Sequence, residues 1–448
     1  MKNIKVIGNT KTHFLTYGLV INLLILLLFL FLLPNSMKGN ENEDYRLEYE
    51  PVAFNIFNGA NYNFYDPNFC LYPCIDESNP IDNDEIDPIA IDDVQFRRPP
   101  VFPTIIAISY VLEKYLKVKH YDIFLFIQYF LHLSSSLLIF LIYCRWFENF
   151  KVAFLASLFY GSYPLGLYLL KQPNSEVVFN FLIVLFIFFI SKVFKNNASL
   201  KTSSVYLSGF ILGLILLTRS IAIFMPILFG VFLLIYYKKY FLKIIFGLTI
   251  GASIILIPWK VYVQNLPIKF DNPTNFPEMV FVSGLYWERI PGRESSKISG
   301  LMSNNLLHFM EKTYEKSSED LLDSKGEIYN YLKNEIVESP IVMLELLSWK
   351  ALRALYATDT RRYEMEVFLI NIFYICALLL LFIKRKKYIT HRDHKVFSML
   401  AFFIFLYFYG MSFATIPIVR YSISGLLFIV PLISLLLGKY GEEKNNNE

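Results

Sequence analysis

FLTYGLVINLLILLLFLFLL, residues 14–33, decides the class of fold. The stretch holds no charged side chain. At about 1.5 Å per helical residue it crosses a hydrocarbon core about 30 Å thick. Lys2, Lys5 and Lys11 precede it, so a secretory leader has to be weighed. A leader's apolar core is roughly 7–15 residues long, shorter than this run, and Leu33-Pro34-Asn35-Ser36 lacks a small-residue cleavage pattern. The segment is read as an anchor that stays.

Nine further apolar segments follow, near 122–143, 152–170, 177–194, 204–218, 221–237, 242–259, 365–383, 396–413 and 422–438. The fifth and sixth of the ten are short, with only Thr218, Arg219 and Ser220 between them. Cytoplasmic connections carry the Lys/Arg excess. With the N-terminus inside, the inner connections hold Arg145 and Lys151; Lys192, Lys195 and Lys201; Lys238, Lys239 and Lys243; and Lys384, Arg385, Lys386, Lys387 and Arg392. Ten spans with both termini cytoplasmic fit that rule throughout. Composition agrees: of 448 residues 55% are hydrophobic and 18% charged, against about 45–50% and about 25% in soluble domains. That excludes a cytosolic enzyme and a disordered chain, and a net charge of +4 argues against a nucleic-acid partner.

The expected layout is a tail and first span (1–34), a first outer loop (35–120), spans two to seven (121–259), a second outer loop (260–364), spans eight to ten (365–438) and a cytoplasmic tail (439–448). Two long outer segments on a bundle point to work at the outer face on something bulky. The first is acidic up to Phe96, a mostly solvated face. Its Asp82-Asn83-Asp84-Glu85 run leaves room for a divalent cation on hard oxygen ligands, without the glycine and terminal glutamate of an EF-hand. Cys70 and Cys74 either pair in an oxidising compartment or stay free, while Cys144 and Cys376 are read as buried apolar residues.

Asp44 to Asn58 has the apolar stripe of an interfacial amphipathic helix, stopped by Asn58-Gly59. Arg97-Arg98-Pro99-Pro100-Val101-Phe102-Pro103 then imposes an extended entry into a second apolar stretch, Thr104 to Leu116. Its two arginines face the outer headgroup level, where an anionic ligand is met. The second outer segment is partly helical, over Leu306 to Leu332 and Val342 to Ala357, behind an irregular stretch with Trp287, Pro291 and Gly292. No internal repeat, phosphate-cradling glycine loop or zinc-spaced His/Cys cluster is present; His120, His308, His391 and His394 are scattered.

An acidic residue and tyrosine after the first span, then Ala53, Asn55 and Gly59, then Arg98-Pro99-Pro100 with Pro103, resemble the opening of the GT-C glycosyltransferases. The resemblance is to the branch of protein O-mannosyltransferases and lipid A aminoarabinose transferases, glycosyltransferase family 39-like. Further matches follow in order: Ser175-Glu176; Gly209, Gly213, Leu217-Thr218-Arg219 and Pro226; Pro258-Trp259 with Asn265; Ser339-Pro340 with Lys350; and Arg420-Tyr421 with Pro431. The resemblance implies an all-α GT-C bundle of about ten transmembrane helices. It also implies inverting transfer of a sugar from a polyprenyl-phosphate donor to a lipid, glycan or protein acceptor at the outer face of the cytoplasmic membrane. No cofactor is firmly implied.

Such transfer needs a carboxylate for the acceptor's proton and cations for the leaving phosphate. In the family an Asp stands four residues before the tyrosine of a Tyr-x-x-x-Ala pattern. Aligning Tyr49 and Ala53 puts Tyr45 there, so the base candidates are Asp44, one residue earlier and preferred, and Glu48. Either would also complement a helix N-terminus. Arg98 is the first candidate for the phosphate, by its planar fork, with Arg97 competing and interfacial anchoring as the other use. Arg219 and Arg420 lie at outer span ends, where a charge needs a cavity or partner. Glu176 either orients the acceptor or pairs with Lys171 or one of those arginines. Trp259 and Tyr421 suit the aromatic belt, and Tyr421 and Tyr49 stay among the substrate-binding candidates. Two other classes have similar spans: a lipid-linked glycan transporter, which predicts repeats and helices broken at midplane, and an O-antigen ligase or polymerase, whose main outer loop comes late in the chain.

Overall fold

The computed structural model describes residues 2–32, 49–58, 99–171, 173–195, 202–264, 276–289, 299–319, 321–322, 324–358, 363–389 and 391–438. Every regular element among them is helical. The chain divides into two compact units, Met1–Phe270 and Asp271–Glu448.

The first unit contains α1 (Lys2–Leu32), α2 (Glu50–Phe57), α3 (Val101–Leu116), α4 (His120–Phe147), α5 (Phe150–Gly161), α6 (Pro164–Tyr168), α7 (Ser175–Lys195), α8 (Thr202–Leu216), α9 (Met225–Tyr236) and α10 (Phe241–Gln264). The second contains α11 (Phe276–Ser283), α12 (Asn304–Ser318), α13 (Lys325–Glu338), α14 (Pro340–Arg353), α15 (Glu364–Ile383), α16 (Arg385–Tyr388), α17 (Arg392–Ala414) and α18 (Val419–Ile429). Among the described residues, seven segments are long and apolar enough to cross a membrane: Thr12–Phe31, His120–Phe147, Ser175–Phe194, Lys238–Gln264, Glu364–Ile383, Arg392–Ala414 and Val419–Gly438. The protein is an α-helical polytopic membrane protein.

The expectation of ten full spans needs correction at three of them. The third is broken, Phe150–Gly161 and Pro164–Lys171 meeting at 45°. Pro164 opens the second piece and Tyr163 before it is extended, as a residue preceding proline must be. The fifth and sixth are shorter apolar helices, Ser203–Leu216 and Ser220–Tyr236. At about 1.5 Å per residue α8 is roughly 22 Å long, less than the core. Chain direction still reverses between them. Gly209 lies against Leu248 and Gly213 against Ala252, so α8 and α10 run parallel and the chain between them returns along the bundle. Likewise α4 and α7 run parallel. Gln128 accepts from the Asn174 amide near their starts (2.7 Å), and Arg145 donates to the Phe188 carbonyl near their ends (2.9 Å).

Glycines set the α8–α10 contact. A Cβ at Gly209 would stand 2.3 Å from the Leu248 carbonyl oxygen, and one at Gly251 2.2 Å from that of Tyr206. Gly209 faces Gly251 directly and Gly213 faces Ala252, with Gly247 against Val205; small residues spaced four apart on each helix let membrane helices approach closely. Gly251→Val is therefore expected to cost about 3 kcal/mol or more, since the obstructing atoms are backbone and cannot swing aside. Gly230→Val, with nothing within 4 Å of its Cβ position, is expected to be nearly silent. Thermal unfolding in detergent compares them. Polar contacts seat α1: buried Asn22 donates to the Ser136 hydroxyl (2.7 Å) and the Ser157 hydroxyl (3.2 Å).

In the outer segments, the described part of the helix expected over 44–58 is α2, with Pro51 in its first turn and Asn58 as its C-cap. The second interfacial helix starts at Val101, so Pro103 lies inside its first turn, not in an extended entry. Proline is tolerated there because a first-turn N–H has no helical acceptor. The helix expected over 306–332 is two helices, separated at Glu319–Ser324. Ser324 and Glu327 form a reciprocal capping box that starts the second. With α14 they enclose an apolar core of Trp287, Leu306, Phe309, Met310, Tyr331 and Leu346. Cys376 is exposed on α15 and Cys144 half-buried, contrary to the reading of both as buried. A thiol on the outside of a span faces lipid, which suits its apolar character.

Candidate functional site

In the first unit, four chain segments meet where α7 begins and α8 ends. Glu176 stands in the first turn of α7, where the helix dipole favours a negative charge. Thr218 closes the last turn of α8 by donating to the Leu214 carbonyl (2.7 Å), and Arg219 follows in extended backbone. That break turns the guanidinium onto Glu176, with Nη1 to Oε1 at 2.6 Å. The same Nη1 donates to the Ser175 hydroxyl (3.0 Å), which lies 3.3 Å from Glu176 Oε2. The pair is secluded, the Glu176 side chain 2% exposed and that of Arg219 14%. Of the partners considered for Glu176, Arg219 meets it, while Lys171 lies over the Tyr168 ring at 4.2 Å.

The third segment arrives through the backbone: the Val101 amide donates to the Leu217 carbonyl (3.1 Å), tying the entry of α3 to the residue two before Arg219. The fourth is α2. Tyr49 is buried edge-on against Phe102, ring centroids 4.6 Å apart, and Phe102 in turn packs on Phe124. Tyr49 thus packs at the head of α2.

Beside this junction stands a cluster that sequence reading missed. His120 Nε2 meets Glu50 Oε1 at 2.8 Å and Nδ1 meets Glu113 Oε2 at 2.9 Å, while the Tyr110 hydroxyl donates to Glu50 at 3.2 Å and its ring stacks on the imidazole at 4.0 Å. Ionised carboxylates only accept, and a neutral imidazole donates from one nitrogen alone. The two contacts together therefore hold one extra proton, and α2, α3 and α4 are pinned through it. The carboxylates sit on opposite ring nitrogens, a bridge and not a chelate. Among the described residues, no three His, Cys, Asp or Glu side chains are arranged to hold a metal ion. Glu50 and His120 lie 70 residues apart and no local pattern joins them.

Asp44, Glu48, Arg97 and Arg98 lie outside the described residues, as do Asp82-Asn83-Asp84-Glu85, Cys70 and Cys74. Their described chain neighbours are Tyr49, one residue beyond Glu48, and Pro99, one beyond Arg98.

The second unit brings together two other motif pieces. Pro340 opens α14, whose buried face carries Met343, Leu346, Lys350 and Arg353. The Val419 amide donates to the Ala357 carbonyl (2.7 Å), so Arg420 and Tyr421, both half-buried, begin α18 beside the end of α14. Arg353 forms a forked pair with Glu364 (3.0 and 3.5 Å) and lies over the Trp287 ring at 4.1 Å. Cations at two core-facing positions of an amphipathic helix were the available signal for this cluster.

Lys350 donates to the Gly284 carbonyl (2.9 Å). Burial pushes its ammonium down from the ordinary 10.5 to about 7. The unfolded chain then binds more protons than the folded one between these two values, so the second unit gains stability as pH rises through that window. Lys350→Met removes the buried charge. It is expected to raise the unfolding temperature below about pH 7 and to lose that advantage as pH rises above 10.5, where the wild-type lysine is neutral in both states. Thermal unfolding of both proteins across pH checks this.

Comparison with known proteins finds no matching family model, no matching curated protein and no matching solved structure.

Proposed function

We propose that the protein is an integral membrane glycosyltransferase of GT-C type, moving a sugar from a polyprenyl-phosphate donor to a lipid, glycan or protein acceptor at the outer face of the cytoplasmic membrane. In this reading both termini are cytoplasmic and the bundle is the GT-C one. The observation that supports it most is the meeting of four separately spaced motif pieces at one end of the first unit. Tyr49 packs on Phe102, Val101 bonds Leu217, and Arg219 pairs with Ser175 and Glu176. These are the pieces whose order along the chain resembles the family, and the base and phosphate candidates adjoin them in sequence.

Chemically, Asp44 or Glu48 takes the proton of the acceptor hydroxyl as its oxygen attacks the anomeric carbon. The bond to the carrier phosphate breaks on the opposite side, which inverts the centre. Arg98, with Arg97, offsets the charge growing on the phosphate. Arg219 is already neutralised by Glu176 through Nη1 and acts as a positioning residue for the entry of α3.

A pair of substitutions tests this. Arg98→Ala is expected to lower donor-dependent transfer by about 10²-fold or more, the scale of losing one donor to a developing oxyanion, whereas Lys239→Ala, in an inner connection, leaves it unchanged. Equal rates for the two variants would remove the phosphate role.

A further inference from the structure

Helix α14 carries an exposed face without charged side chains. Ile341 is 80% exposed, Leu344 66%, Leu347 42% and Leu352 40%, and Val337, just before the helix, is 74% exposed. At 100° per residue Ile341, Leu344, Ser348 and Leu352 form one stripe on α14. The charges of the helix lie elsewhere. Lys350 and Arg353 are on the buried face, and Glu345 on the flank accepts from the Ser303 amide (2.9 Å). A contiguous apolar face of this kind on an element outside the spans marks an interaction surface.

The depth at which α14 is held identifies what covers it. The Tyr409 hydroxyl, five residues from the end of α17, donates to the Ala351 carbonyl (2.8 Å). The Ser422 hydroxyl, in the first turn of α18, donates to the Ala354 carbonyl (2.7 Å). Asn371, two turns into α15, donates to the Leu355 carbonyl. The last turn of α14 and the residues after it are thus fastened at the ends of three spans, about one to two turns in. That is the boundary between headgroups and acyl chains.

The geometry points to α14 as an interfacial membrane helix, its Ile341–Leu344–Ser348–Leu352 face seated in the lipid surface at that end of the second unit. An amphipathic helix buries its apolar face about 5–10 Å into this boundary. The bilayer thereby covers the side of α14 that faces away from the apolar core of α12, α13 and α14. This inference is independent of the sugar-transfer reading.

The test places single nitroxide labels at Ile341→Cys, Leu344→Cys and Ser348→Cys in the full-length protein, with the four native cysteines changed to serine, in phosphatidylcholine/phosphatidylglycerol vesicles. Lys333→Cys, exposed on α13, is the aqueous reference. The ratio of oxygen to nickel-chelate collisions is expected to be several-fold higher at 341, 344 and 348 than at 333. Ratios equal to that at 333 would put the stripe in water and overturn the proposal. Labels shielded from both reagents would mean a covering protein surface and overturn it equally. Should the cysteine-free protein not fold, Leu344→Trp in the native background replaces it. Extra fluorescence quenching by brominated lipid is the expected result, and none beyond wild type overturns the inference.

Discussion

Asp44→Asn is expected to lower sugar transfer by about 10²- to 10⁴-fold, the contribution of a positioned general base, while the protein remains in the membrane in wild-type amount. The amide keeps the size and polarity of the carboxylate and removes only its capacity to take a proton. Asp44 follows the first span by a dozen residues, in the segment that leads into α2. The head of α2 is fixed from two sides, by Tyr49 on Phe102 and by Glu50 on His120. A base delivered from such a point needs no further support from the helix dipole, because the acid in the first turn of α2 is Glu50. Glu48→Gln is the paired control. Full turnover by Asp44→Asn with loss in Glu48→Gln would transfer the role to Glu48. Both substitutions are read by donor-dependent transfer at equal amounts of membrane-inserted protein.

Arg219→Ala is expected to destabilise the first unit by about 3–5 kcal/mol, the usual cost of leaving one charge of a buried pair alone. Glu176 is then a carboxylate sealed at the start of α7 without this cation, the Ser175 hydroxyl lying 3.3 Å from it. The double change Arg219→Met with Glu176→Gln is expected to cost less than Arg219→Ala alone, because no uncompensated charge remains. A double-mutant cycle by thermal unfolding in detergent measures the coupling. Additive effects would show that the two side chains do not stabilise each other. Loss of the pair also frees the turn at Leu217, whose carbonyl holds the Val101 amide, so transfer falls in both variants.

Much of this architecture is legible along the chain because burial in lipid leaves a one-dimensional mark. Residues 14–33 or 396–413 must be apolar whatever they pack against. The same mark finds the fifth and sixth segments and their break at Thr218-Arg219-Ser220, but not that the helix of the fifth stops at Leu216 and is too short to cross. The glycines of α8 were visible as part of a motif, yet their use becomes clear only against α10, where Gly209 meets Gly251 and Gly213 meets Ala252. Glu176 was readable as a carboxylate in need of a partner. Which cation it takes depends on a close approach between residues 43 positions apart, and no periodicity encodes that. The bridge from Glu50 through His120 to Glu113 joins three helices and was illegible for the same reason. Lys350 stood out as a motif residue, while its burial follows from its register with Met343 and Leu346.

The central claim, transfer from a polyprenyl-phosphate sugar, is tested most directly by mass spectrometry of membrane lipids from cells with and without this protein. The account predicts that one polyprenyl-phosphate monosaccharide accumulates when the protein is absent, which also identifies the sugar. Unchanged monosaccharide carriers with a longer lipid-linked glycan piling up instead would contradict it and point to a ligase or a transporter.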